Sequence, residues 1–217
     1  MGLYVQYGAG YSVADGWVSF DASPTLRVQQ LPMIGASLAK LSGNANPFPP
    51  GILYGDILRK LPVATGSADG LYASHVLEHL SLEDMRQALR ESLRVLRPGG
   101  AFRLIVPDLL HRARHYVESA ETDPAAAPEF MRSTMLGLER RSTSLLGRLR
   151  AMFGNSEHLW MWDYPSMRHE LESAGFIGIR RAAFGDGQDP MFGRVEEADR
   201  FEKNGIVELA IEAHKPA

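Results

Sequence analysis

ADGLYASHVLEHLSLEDMRQALRESLRVLRPGGAFRLIVPDL, residues 68–109, decides the fold. Its opening, DGLYAS, is a short apolar and aromatic run of the kind that fills a buried strand. Ser81 then offers an N-cap with Asp84 three residues on, and Met85, Leu89, Leu93 and Leu96 recur on one face of a helix. RPGG (97–100) predicts the end of that helix, and FRLIV (102–106) reads as the next strand. Strand, helix and strand in direct succession make the unit from which parallel sheets covered by helices are built.

The same alternation extends outward in both directions. Strands are expected near residues 3–7, 17–21, 52–55, 69–74, 101–106, 177–184 and 206–213, seven in all. Leu26, Leu31, Ile34, Leu38 and Leu41 predict a helix over about 25–42, closed by the loop GNANPFPP, and a further helix from Pro165 to Ala174 ends at Gly175. The expectation is a single α/β domain over 1–217, a Rossmann-like, seven-stranded, mostly parallel sheet with helices on both faces. Residues 111–160 break the pattern. They hold DPAAAPEF and then Arg132, Arg140, Arg141, Arg148 and Arg150 against the single acid Glu139, a helical insertion read as a lid over the carboxyl ends of the strands. It reads equally as a solvated helix packed through Leu145, Leu146, Leu149 and Phe153, or as a homodimer contact.

Composition narrows the function classes. The 217 residues include no cysteine, which excludes disulfides, thiolate metal sites and a cysteine nucleophile, and suits a reducing cytoplasm. A formal net charge of -3 provides no long-range field for nucleic acid. No apolar run approaches the roughly 18 residues of a membrane span, and the N-terminal residues lack the pattern of a signal peptide, so a cytoplasmic, soluble protein is expected.

The chemistry collects at strand ends. LYVQY runs into Gly8, Ala9 and Gly10, a turn with no Cβ at two positions to block a ligand. After the second strand comes Asp21, a carboxylate able to accept both hydroxyls of a ribose, and after the third come Asp56 and Ile57, an acceptor and a backbone donor suited to adenine. HVLEH (75–79) matches the HxxEH pattern of inverted zinc proteases, which needs both histidines on one helical face. His75 lies at a strand end, so no metal site is expected, and His79 is expected to bond a backbone carbonyl. GAGYSV departs from GxGxxG at Val13, which disfavours a nicotinamide enzyme.

Taken together, GAG (8–10), GWVSFDAS (16–23), GDI (55–57), DGLYASHVLEHL (69–80), RVLRPGGAFRLIVPDL (94–109) and LESAGF (171–176) resemble the class I S-adenosylmethionine-dependent methyltransferases, specifically small, type 11-like members. The resemblance implies S-adenosylmethionine as cofactor, with Gly8 and Gly10 beside its methionine portion, flanked by Tyr7 and Ala9. Asp21 and Ala22 would lie at the ribose, Asp56 and Ile57 at the adenine, and Ser74 and His75 near the sulfonium. Only six residues, YSVADG, separate Gly10 from the next run, too few for a crossover helix. For a hydroxyl acceptor the candidate bases are His158, His75 and Asp108, with Trp160 and Trp162 placed to stack on the acceptor. A small molecule or glycan acceptor is implied. The alternatives are a catalytically silent binding protein of the same fold and an HxxEH metal hydrolase.

Overall fold

The computed structural model describes residues 2–31, 47–137 and 157–217. Five parallel strands form the body of the sheet: β1 (Tyr4–Tyr7), β2 (Trp17–Asp21), β3 (Ile52–Tyr54), β4 (Ala68–Ser74) and β5 (Leu96–Val106). With β6 (Ile177–Arg181) and β9 (Leu209–His214) the order is β3-β2-β1-β4-β5-β9-β6, β9 running antiparallel to both neighbours. A two-stranded ribbon, β7 (Glu202–Lys203) with β8 (Ile206–Val207), lies in the long β6–β9 connection. The Rossmann-like α/β fold and its seven strands are therefore as expected. The expected strand 206–213 divides into β8 and β9, and 177–184 shortens to Ile177–Arg181.

The helices are α1 (Pro24–Gln29), α2 (Leu82–Val95), α3 (Leu109–Ser119), α4 (Ala126–Ser133), α5 (Tyr164–Ala174) and the single turn α6 (Ala198–Phe201). Ser81 caps α2, its Oγ accepting from the Asp84 amide. The helix buries Met85, Ala88, Leu89 and Val95 completely, against β5 and against Met167 and Leu171 of α5. Met85 and Leu89 contribute about 1.5–3 kcal/mol each by leaving water. α5 ends at Gly175, whose φ of 101° is the left-handed conformation a helix C-terminus asks of glycine.

Three sequence expectations are adjusted. RPGG does not stop the helix; α2 ends one residue earlier, at Val95, and RPGG belongs to β5, where Leu96 pairs with Ala68 before a register shift. Leu96 is thus a strand residue. The helix expected over 25–42 is seen as α1, and its remainder falls on 32–46, outside the described residues. Of the 111–160 insertion, α3 and α4 are described; Arg140, Arg141, Arg148, Arg150 and the apolar residues 145–153 lie outside. α3 and α4 are held together by Arg112, whose Nε donates to Ser133 O, and by Tyr116 against Phe130. Arg112 also forks onto Glu208 through two bonds of 2.8 and 2.9 Å.

The chain leaves β1 toward β2 and β3, then returns to the other side of β1 as β4. Strand order reverses there, and the crevice outside the carboxyl ends of β1 and β4 is where such sheets take ligands.

Candidate functional site

The β1–β2 connection contains no helix, as its length predicted. It is a chain of turns: Ala9 N–H donates to Phe20 O, Ser12 N–H to Ala9 O and Trp17 N–H to Ala14 O. Buried Gln6 braces it by donating to Ser12 O and to Ser19 Oγ. Gly8 and Gly10 both have positive φ, 65° and 55°. A Cβ on Gly8 would fall 2.2 Å from Val76 Cγ2, so only glycine fits; one on Gly10 would meet nothing within 4 Å, because it would project into open space.

Two hollows open at this crevice. The larger, about 570 Å³, is lined by Gly8, Asp21, Ala22, Asp56, Ile57 and His79 among others; the smaller, about 210 Å³, by Gln6, Ala9, Gly10, Tyr72, Ser74 and Arg200. Tyr7, Gly8 and His75 line both. Every residue expected at the cofactor therefore lies on one or both walls. Tyr7 contributes backbone, since its ring is buried against Phe102 and its hydroxyl accepts from Ser92 Oγ.

Asp21, at the end of β2, fastens the glycine turn: its Oδ2 accepts from Gly10 N–H at 2.9 Å and its Oδ1 from Ser23 N–H at 2.8 Å. Each oxygen keeps a second lone pair for a ligand hydroxyl. Asp56 accepts from Leu58 N–H at 2.9 Å and faces Arg59 at 3.5 Å, with the same capacity to spare. In the smaller hollow the Tyr72 hydroxyl and Ser74 Oγ are buried with no hydrogen-bond partner. Such groups cost free energy unless something completes them.

His75 has a φ of 53°, a strained conformation for a residue with a side chain and one that tends to persist at functional sites. Its Nδ1 lies 3.2 Å from Glu78 Oε1, and its Nε2 lies 3.3 Å from Arg200 O. Burial works against a charge on this ring, but the Glu78 carboxylate prevails and holds its pKa above the ordinary imidazole value. With an acceptor at each nitrogen, His75 is better placed to keep a proton than to take one from a substrate.

The other two base candidates are placed differently. Asp108 caps α3, its Oδ1 accepting from Leu110 and His111 amides, and Oδ2 faces Arg181 at 3.6 Å; it lines neither hollow. His158 is buried beside His79, ring centroids 5.0 Å apart, with Nδ1 unpartnered and its pKa held below the ordinary value, chiefly by burial. Trp162 is a core residue, packed with Met167, Leu171 and Val106, and cannot stack on an acceptor. Trp160 is half exposed.

His75 and His79 do not share a helical face: a single tight turn, Leu77–His79, follows β4, and His79 Nδ1 bonds Glu157 O at 3.0 Å. What HVLEH concealed is Glu78. It is completely buried, with neither carboxylate oxygen hydrogen-bonded. Sequence reading missed it because a glutamate between Leu77 and His79 carries no mark of burial.

Residues 29–104 match the family described as methyltransferase domain. That stretch holds Asp56, Ser74 and His75; Gly8, Gly10 and Asp21 precede it. No curated protein sequence matches the chain significantly. Among solved structures, the complex of the Haloferax volcanii Trm112 methyltransferase activator with a protein assigned as a methyltransferase is 16% identical, with 100% of this chain and 83% of that one covered and a TM-score of 0.50. A possible exported protein of Bordetella parapertussis is 15% identical over 100% and 62%, with a TM-score of 0.49, so the chain spans less than two thirds of that one. An S-adenosylmethionine-dependent methyltransferase of Archaeoglobus fulgidus is 14% identical over 99% and 86%, with a TM-score of 0.48. At 16% identity the likeness to the Haloferax volcanii structure is one of fold.

Proposed function

We propose that this chain, which carries the methyltransferase domain of the class I S-adenosylmethionine-dependent family, binds that cofactor with its adenosyl end in the larger hollow and its amino acid end in the smaller. The observation that carries the reading is the convergence of Gly8, Asp21, Asp56 and His75, from the ends of four strands, on two hollows that share a wall. The donor set fits the molecule at both ends. Asp21 offers acceptors to ribose hydroxyls, and Asp56 with Ile57 offers an acceptor and an apolar wall to a purine. Tyr72, Ser74, Glu197 and Arg200 supply hydroxyls and both signs of charge to a zwitterionic amino acid.

Bound S-adenosylmethionine supplies a methyl group on a sulfonium, whose departure needs no proton. The residues of this chain therefore have to bind and orient rather than activate a leaving group, and positioning supplies most of the acceleration. Gly8 and Gly10 let backbone approach the ligand closely, Asp21 holds the turn in that shape, and His75 lines both hollows. The acceptor in this reading is a small molecule or a glycan, admitted under the 111–160 insertion acting as a lid, in a cytoplasmic enzyme.

Titration calorimetry with S-adenosylhomocysteine tests the cofactor assignment directly, and a screen of hydroxylated small molecules and sugars with radiolabelled methyl donor tests the acceptor class. Absence of heat with both the cofactor and its demethylated product would overturn the assignment. Binding without transfer to any member of the screen would instead favour the silent binding protein.

A further inference from the structure

Beside the larger hollow stands a cluster that the cofactor does not use. Glu78, His79 and His158 each offer one donor atom, and these atoms lie within 4.8 Å of one another. Two of the three are buried acceptors with no hydrogen-bond partner, Glu78 through both oxygens and His158 through Nδ1. Neither Glu78 oxygen has a hydrogen-bond partner, and His75 Nδ1 approaches Oε1 to 3.2 Å without hydrogen-bond alignment. The unpartnered nitrogen of His158 is Nδ1, while that ring also bonds the Thr134 backbone. His79 uses Nδ1 to donate to Glu157 O, which leaves Nε2 as its nitrogen with a lone pair to give.

Glu78 and His158 are buried and His79 is half-buried; His75 Nδ1 stands at Glu78 Oε1, and a positive centre among the three donors would stabilise the lone pairs brought together there. The surroundings hold these donors in place. Carbonyl groups on the outer nitrogens of metal-binding histidines set the tautomer and aim the ring, and Glu157 O does this for His79. The backbone of Glu78 is held as firmly: its carbonyl accepts from Leu159 N–H at 2.8 Å and from Trp160 N–H at 3.1 Å, so the segment carrying His158 is tied to the residue it faces.

We propose that Glu78, His79 and His158 form a binding site for a divalent first-row transition cation such as zinc. Two imidazoles and one carboxylate are the donor set that these cations take with open positions left for substrate, and imidazole disfavours magnesium and calcium. Cation to ligand distances are about 2.0–2.2 Å, so donors on one ion lie roughly 3–4 Å apart, against a present spread within 4.8 Å. His75 is the neighbour that orients the carboxylate, leaving Oε2 free. The site stands independently of the cofactor reading, but its role rests on it. His79 lines the larger hollow, so an open position on the cation faces the space beside the cofactor. There it takes a hydroxyl of the acceptor and lowers its pKa, as bound cations do. The hydroxyl proton passes to water, the oxygen forms its bond to the methyl carbon, and the carbon to sulfur bond breaks with the electron pair remaining on sulfur.

The test uses the full chain after dialysis against chelator, titrated calorimetrically with zinc, with cobalt absorbance in the visible as a second readout. One equivalent of zinc is expected, with affinity at least tenfold weaker in both Glu78→Gln and His158→Ala, while S-adenosylhomocysteine binds His158→Ala as it binds the parent without metal. Melting curves establish that each variant is folded. Failure of the parent to bind zinc or cobalt stoichiometrically overturns the site; unchanged metal affinity in both folded variants overturns it equally. Neither outcome touches the cofactor assignment, which the S-adenosylhomocysteine titration alone decides.

Discussion

Asp21→Ala separates the turn-holding that this carboxylate performs from the ribose binding proposed for it. In the unliganded protein Asp21 accepts from Gly10 and Ser23 amides, at 2.9 and 2.8 Å. A hydrogen bond to a charged group contributes about 1.5–3 kcal/mol net. Both amides lie at the rim of an open hollow and can take water instead, so we expect only about 1–2 kcal/mol of folding stability to be lost, a modest shift in the urea midpoint. The cofactor loses more. With the ribose hydroxyls unpaired and the Gly8–Gly10 turn released, binding of S-adenosylhomocysteine should weaken by about 1.5–3 kcal/mol, roughly tenfold to 150-fold. Calorimetry at one salt concentration, with urea unfolding on the same preparations, measures both. If the variant binds the demethylated cofactor with parental affinity, Asp21 is not at the ribose and the reasoning fails. An affinity loss matched by global unfolding would equally refute the separation.

Three further outcomes follow from the geometry. Gly8→Ala combines a left-handed penalty of about 1–2 kcal/mol with a clash against Val76 of about 1–3 kcal/mol, and in urea unfolding the added change Val76→Ala should recover only the second part. Arg103→Ala strips buried Glu196 of its cationic partner and leaves Glu212 with Arg180, and should cost about 3–5 kcal/mol by denaturant titration, whereas a loss below about 1 kcal/mol would show the network to be dispensable. Glu170 joins α5 to α2 through two bonds from Arg86, which hold its pKa below the ordinary carboxylate value. A lowered pKa means stability present above the unfolded value and lost as pH falls through the folded one. The gap in melting temperature between the parent and Glu170→Gln should therefore be widest near neutrality and close in acid below about pH 4.

The strands were legible because each is a short apolar run bounded by turn residues, and α2 because Met85 and Leu89 repeat on one face over a serine cap. The lining of the two hollows was legible for a related reason: Gly8, Asp21 and Asp56 each follow a strand closely, and parallel topology puts such positions on one edge. What escaped depends on how distant segments fold onto one another. Asp108 looked like a free acid and proved to be a helix cap, because local hydrogen bonding by aspartate is indistinguishable in sequence from availability. Trp162 looked like a stacking platform and is core, since burial is set by α5 and β5 rather than by EHLWMWDYP itself. RPGG reads as a terminator in any helix, yet it is held in β5 by the pairing of Leu96 with Ala68 on one side and by the bonds of Gly99 and Gly100 to Lys215 on the other. Glu78 became visible only when residues 157–160 returned to lie against it.

The position of β9 has a consequence for how the molecule is made. Residues 209–214 insert between β5 and β6, so β6 has no partner in the sheet until they arrive. During synthesis, residues 177–181 leave the ribosome as an orphan edge, exposed to foreign strands for as long as the later residues take to emerge. Once β9 is in place, Glu212 stands between Arg103 on one flank and Arg180 on the other, at matching register positions on all three strands. Charge alternation across the seam thus rejects a slip by one residue, which would turn the glutamate to the opposite face and leave two arginines facing each other.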